Sequence, residues 1–203
     1  ATLVAQTGAI PQMLGIIPDE PEQLKNAISL ALISADIVIS SGGVSVGDYD
    51  FVDQILYSLG GEIQIRAIAL KPGKPLTFAT FNSPSHPSPI LYFGLPGNPV
   101  SSLVTFWRFV QPAIKKLSGI SHSWQPNFIK AKTKQILKSD GKRESYLWGK
   151  LHLVNGEYEF NLAAGGHNSA NLINLAQTNG LAILRIGETL VKAGDLVEVL
   201  QVG

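Results

Sequence analysis

A short apolar strand, a glycine-rich loop and a helix start follow one another twice in this chain, and that order constrains the fold more than any other feature. The first instance is Asp36–Ser45 (DIVISSGGVS), continuing through Asp50, and the second is Leu91–Ser101 (LYFGLPGNPVS). At each helix start the first backbone N–H groups have no partner within the helix, so the loop can hold an anion. Strands that feed helices in this way read as a layered α/β domain. Ligands of such sheets lie beyond the carboxyl ends of the strands, which places both loops at one edge. A phosphate- or oxyanion-bearing small molecule is the expected occupant.

The 203 residues suffice for one good core or for a domain with a small accessory one. Hydrophobic content of 45% against 15% charged residues excludes a disordered chain. A net charge of +1 gives no argument for nucleic acid. The absence of cysteine excludes disulfides and thiolate metal ligands and fits a reducing, cytoplasmic setting. No apolar stretch reaches the roughly 20 residues that span a bilayer, and ATLVAQTGAI has no basic lead of a signal peptide. Its missing initiator Met and strandless opening read as a cut start, so parts of the core are expected to be absent.

Periodicity sets the expected order of elements. Met13–Ile17 reads as a strand, and Asp19-Glu20-Pro21 starts a helix to about Ser34, with Leu24, Ile28 and Leu32 on one face. Asp36–Ser40 reads as a central parallel strand. A helix over Phe51–Leu59 follows, with Phe51, Ile55 and Leu59 aligned; strands are expected at Ile63–Leu70, Leu76–Phe81 and Ile90–Gly94. Residues 82–89 (NSPSHPSP) form an exposed excursion, and a helix runs from Pro99 to Leu117 with Gly119 closing it. Residues 120–126 read as a linker. Beyond it, short strands and turns, with Asn155-Gly156 as a hairpin signal, make a small β-rich unit, a barrel or a sandwich.

The polar residues gather at the loops. Ser41, Gly42, Gly43, Ser45 and Gly47 give flexible backbone and hydroxyl donors for an oxyanion. Asp48 and Asp50 repel a phosphate unless Mg²⁺ lies between, since that ion takes carboxylate and substrate oxygens together; Asp48 also reads as a helix cap. Lys71 and Lys74 flank Pro72-Gly73 in a tight turn suited to a phosphate or small oxometallate, or simply to solvent. Pro96, Gly97, Asn98 and Pro99 form a stiff loop whose Asn98 offers amide donors and a carbonyl, while Ser101 and Ser102 read as ordinary first-turn residues. Asp19 follows a strand at the same edge and serves either as a third carboxylate or as an N-cap. In the C-terminal part Arg143 and the stretch 165–169 are the conspicuous polar candidates. No hydrolase triad or zinc pattern is present.

SGGVSVGDYDFV (Ser41–Val52), KPGKP (Lys71–Pro75) and LPGNPVSS (Leu95–Ser102), followed by GGHNSANLINLAQTNGLAIL and GETLVKAGDLVEVL, resemble the motifs of the molybdopterin molybdenumtransferases, the bacterial MoeA proteins and their gephyrin relatives. The resemblance covers practically the whole chain. It implies a three-layer, mostly parallel α/β molybdopterin-binding domain of the MoaB and MogA type over residues 1–119, lacking its first strand. A smaller C-terminal β-barrel domain over 127–203 would follow. The implied reaction inserts molybdenum from molybdate into adenylylated molybdopterin and releases AMP, with Mg²⁺, in a homodimer that binds neither nucleic acid nor membrane.

Matched position by position, Asp50 and Asp19 are the implied catalytic acids, and with Asp48 the implied metal ligands. Lys71, Lys74, Pro96 and Pro99 match the walls of the molybdate and pterin-phosphate pocket. Arg143 and Ser169 match barrel residues facing the cleft of a partner's α/β domain. Trp148 replaces a common Arg, and Asn168 a common Gln. The alternatives to the enzyme are a non-catalytic molybdopterin-binding module and a scaffold module.

Overall fold

Alternate residues of the N-terminal strands are apolar toward both faces, which is the pattern of a sheet covered on two sides. The computed structural model describes residues 1–43, 51–84, 86–165 and 175–202. In chain order the first half holds α1 (Thr2–Gln6), α2 (Pro21–Ser34), β1 (Ile37–Ser41), α3 (Phe51–Ser58), β2 (Glu62–Ala67), β3 (Leu70–Lys71), β4 (Pro75–Phe81) and β5 (Ile90–Leu95). A continuous helical run follows as α4 (Pro99–Thr105), a π-helical stretch Phe106–Val110 and α5 (Gln111–Leu117). In β4, Leu76 and Phe78 face one side while Ala79 and Phe81 face the other. Ile28 and Ala31 of α2 and Val52, Ile55 and Leu56 of α3 pack on the second side; Phe106, Val110 and Ile114 pack on the first.

The sheet order is β1-β5-β4-β2. β1 runs parallel to β5, whereas β5–β4 and β4–β2 are antiparallel. The sheet is mixed, which corrects the mostly parallel expectation. The reason lies in the connection: a parallel return needs a crossover of a dozen or more residues, and the excursion between β4 and β5 is too short for one.

Three other expectations change. Met13–Ile17 forms no strand; Met13 is 72% and Ile16 100% exposed, and no strand among the described residues pairs with them, so their apolar character brings no ladder. α3 buries Val52, Ile55 and Leu56 and leaves Phe51 exposed, so its inner face is turned by one residue. The expected strand Ile63–Leu70 breaks: register shifts interrupt its pairing after Ile63 and Ile65, and Leu70–Lys71 leaves for another sheet.

The second half contains β6 (Phe128–Thr133), β7 (Leu137–Lys138), β8 (Glu144–Val154), β9 (Glu157–Leu162), β10 (Gly180–Leu184), β11 (Leu190–Val191) and β12 (Leu196–Gln201). The order β10-β12-β6-β9-β8 closes through β10–β8 into a five-stranded barrel. Between β8 and β9, Asn155 and Gly156 have φ of 50° and 83°, the left-handed pair of a two-residue hairpin turn. β3 adds to this sheet, pairing in parallel with β8. Leu70, Val100 and Val104 then share one buried cluster with Tyr146, Trp148, Leu181, Ile183 and Leu200. The helix that leaves the second glycine loop thus packs on one face of the barrel strands, while Ala131, Leu151, Phe160, Ala182, Leu184 and Val199 fill the barrel's own core on the opposite face.

Candidate functional site

The one parallel pair in the first sheet positions the two glycine loops. Its register sets Ser41 beside Leu95, so β1 and β5 end together and both loops leave at the same edge. Gly42 N–H donates to the Leu95 carbonyl at 3.2 Å, in a left-handed conformation (φ 88°) that suits glycine. Ser41 Oγ donates to the Pro96 carbonyl at 3.2 Å and lies 3.3 Å from Ser102 Oγ; Ser102 Oγ also donates to the Pro96 carbonyl. A methyl built on Gly97 would stand 3.3 Å from Gly42 Cα, so the loops meet backbone to backbone. Asn98 caps α4, its side-chain oxygen accepting from Ser101 N–H at 3.1 Å and Ser101 Oγ at 3.3 Å, with Pro99 in the first turn.

The basic turn joins them. Antiparallel pairing of Thr77 with Gly94 brings the start of β4 to the end of β5. Gly73 faces the first turns of α4: a methyl there would fall 2.7 Å from Thr105 Cγ2 and 3.7 Å from the Ser101 carbonyl. Lys71 Nζ donates to Asp140 Oδ2 at 2.8 Å, and this bond, with the Lys142 N–H on the same carboxylate, holds the Asp140 pKa below its ordinary value. Lys74 is exposed, and its ammonium has no partner among the described residues. Arg143 Nη1 donates to the Leu70 carbonyl of the same chain at 3.4 Å. Arg66 turns away to Asp53 at 3.1 Å and the Tyr57 hydroxyl at 2.7 Å.

Ser41, Gly42, Gly97, Asn98, Pro96 and Pro99 therefore meet the Lys71–Lys74 turn around the start of α4. Asp19 does not join by any contact: it is exposed, forms no hydrogen bond or ion pair among the described residues, and the α2 N-cap is Glu20 rather than Asp19. Ser45, Gly47, Asp48, Asp50 and Ser169 lie outside the described residues. Gly43 is the last described residue of its loop, 3.5 Å (measured from a built methyl) from Val52 Cγ2. Among the described residues no three His, Cys, Asp or Glu side chains gather as metal ligands.

Two contributors were not foreseen. Ser102 reads in sequence as a first-turn residue but ties both loops to one carbonyl; its inclusion in the LPGNPVSS string was the available signal. Asp140 reads only as part of a turn. Behind the site, Arg108 Nε donates to the Tyr146 hydroxyl at 2.9 Å, which donates to Glu144 at 2.7 Å. Burial first, then the Glu144 bond, pushes the Tyr146 pKa well above its ordinary value. Arg185 completes the chain with Glu144 and Glu198; burial opposes its charge, yet the two carboxylates raise its pKa.

Residues 1–116 match the family model of a probable molybdopterin binding domain, and residues 130–202 match the MoeA C-terminal region (domain IV). The chain is 61% identical over 201 residues to a molybdopterin molybdenumtransferase of a Nostoc species, covering 99% of this chain and 45% of that protein. It is 34% identical over 189 residues to one of Haemophilus influenzae, covering 92% and 44%. Gephyrin of Dictyostelium discoideum is 32% identical over 212 residues, covering 94% and 29%. A molybdopterin biosynthesis MoeA protein structure from Pyrococcus horikosii shares the fold, with a TM-score of 0.76 at 24% identity over 98% of this chain and 46% of that one. The chain spans less than half the length of these relatives. Matched by one model over more than half its residues and by the second after it, the chain belongs to the molybdopterin-binding family of MoeA type.

Proposed function

We propose that this chain carries out molybdenum insertion in molybdenum cofactor biosynthesis, transferring molybdenum from molybdate to adenylylated molybdopterin with release of AMP. The observation that carries the reading is the contact of the two glycine loops, Gly97 against Gly42, beside the Lys71–Lys74 turn. The positive end of the α4 dipole and Lys74, whose ammonium has no partner among the described residues, provide positive potential for phosphate and molybdate oxygens. Ser41, Ser102 and Asn98 spend their hydrogen bonds on fixing the loops, so they position rather than react. Much of the rate contribution is then placement of pterin and oxyanion together.

Asp50 and Asp19 are proposed as the acids that orient the attacking water, Ser45, Gly47 and Gly43 as part of the cradle, and Arg143 and Ser169 as barrel contributions. Mg²⁺ would neutralise phosphate charge when bound, on Asp50, Asp19 and Asp48. Of these only Asp19 is among the described residues, where it stands exposed with no hydrogen bond or ion pair to another described residue. Residues 1–119 and 127–203 are taken as the two domains, joined by 120–126. A cytoplasmic homodimer completes the reading; no described helix is long and apolar enough to cross a membrane.

The test is AMP release from saturating adenylylated molybdopterin. Asp50→Ala is expected to abolish release while pterin binding survives. Near-normal release would remove the acid assignment, and binding without release by the unaltered chain would favour a passive binding module.

A further inference from the structure

Lys71 ends β3, the strand that leaves the first sheet and pairs with β8, setting Lys71 opposite Ser145. This register lays the lysine against the 139–143 turn that precedes β8. Asp140 is fixed in that turn. One carboxylate oxygen accepts from the Lys142 N–H at 3.0 Å and the other from Lys71 Nζ at 2.8 Å. Ser139 anchors the turn in its own right, donating its hydroxyl to the Glu188 carbonyl at 2.6 Å and its N–H to the Thr189 carbonyl at 3.0 Å. Arg143, bonded to the Leu70 carbonyl, acts on the same carboxylate. The barrel thus delivers a rigidly held negative charge to one lysine of the basic turn and leaves the other, Lys74, unmatched among the described residues.

Stability does not explain such a pair. The Lys71 and Asp140 side chains are 44% and 37% exposed, and ion pairs in that setting contribute little to folding. What a fixed carboxylate does in hydrogen-bond contact with Lys71 is compete with any other anion for that ammonium. Resting on the reading of the Lys71–Lys74 turn as an oxyanion site, we propose that Asp140 is the resident counter-ion of Lys71, displaced when a tetrahedral oxyanion binds, and that it thereby sets the affinity of the turn. Nothing covalent changes: one oxygen of the incoming anion replaces Asp140 Oδ2 on Lys71 Nζ. Asp140 itself touches no substrate and is a positioning residue.

The experiment is a titration of the whole chain with sodium molybdate at low ionic strength, with Asp140→Asn and Lys74→Met alongside. Asparagine keeps an oxygen for the Lys142 N–H, so the turn survives and only the charge is lost. Asp140→Asn is expected to bind molybdate about three- to tenfold more tightly, with the gain shrinking as salt is raised. Lys74→Met is expected to bind it more weakly. If Lys74→Met weakens binding but Asp140→Asn leaves it unchanged or weaker, the counter-ion role is overturned and the oxyanion site stands. If neither the unaltered chain nor Asp140→Asn binds molybdate, the site reading falls and takes the role with it. Reductive methylation reads the ion pair without any ligand: Lys71 should react more slowly than Lys74, and reach its rate in Asp140→Asn. Equal rates in the unaltered chain would overturn the proposal.

Discussion

Gly97→Ala perturbs the junction of the two glycine loops with a single methyl group. That methyl would stand 3.3 Å from Gly42 Cα and 3.9 Å from Gly42 N. Relaxed carbon pairs sit at about 3.5–4.0 Å, so the loops must part by a few tenths of an ångström. The Gly42 N–H bond to the Leu95 carbonyl, already 3.2 Å long, is the first to yield. Losing it costs about 0.5–1.5 kcal/mol, and the exposed position of residue 97 offers no burial to offset that. Binding should suffer more than stability. Parting the loops lengthens a hydrogen bond from this backbone to a bound phosphate, and since a bond to a charged group contributes about 1.5–3 kcal/mol, affinity for adenylylated molybdopterin should fall about tenfold. Gly97→Val, reaching further toward Gly42, should be worse on both counts. Urea unfolding and equilibrium titration measure the two effects; a Gly97→Ala chain unchanged in both would refute the contact as the organising feature of the site.

Asn98→Ala removes the α4 cap and should cost about 1 kcal/mol in thermal unfolding. Gly149→Ala drives a methyl to 2.2 Å from the Asn161 carbonyl on the neighbouring strand, where no side chain can swing aside; a loss of about 3 kcal/mol in urea unfolding is expected. Tyr146 has its pKa raised from 10.0 in the folded chain, so its contribution is complete below that pH and lost as pH climbs above it. The unaltered chain should therefore lose Tm between pH 10 and 11 more steeply than Tyr146→Phe. At neutral pH that variant should be less stable by about 1–3 kcal/mol, because Glu144 and Arg108 lose a partner; parallel pH profiles would contradict this.

The loops were legible because glycine, proline and asparagine carry local backbone instructions. Pro99 after Asn98 fixed the α4 start, and Asn155-Gly156 fixed the β8–β9 turn, without help from distant residues. What depended on partners was not legible. Met13–Ile17 has the composition of a strand, but no strand among the described residues pairs with it, and β3 reads as a continuation of β2 until β8 claims it. The mixed sheet escaped because the period-two pattern of β4 and β5 is the same in parallel and antiparallel neighbours when both faces are covered. The Lys71–Asp140 pair joins residues far apart in sequence, and a turn aspartate carries no mark of its partner.

Backbone amide NMR of the chain during titration with adenylylated molybdopterin tests the central claim most directly. The account predicts saturable shifts concentrated at Gly42, Gly43, Gly97 and Asn98 and in the Lys71–Lys74 turn, rising together along one binding curve. Shifts that leave these glycines unmoved, or that follow separate curves for the two loops, would contradict a single pocket built from both.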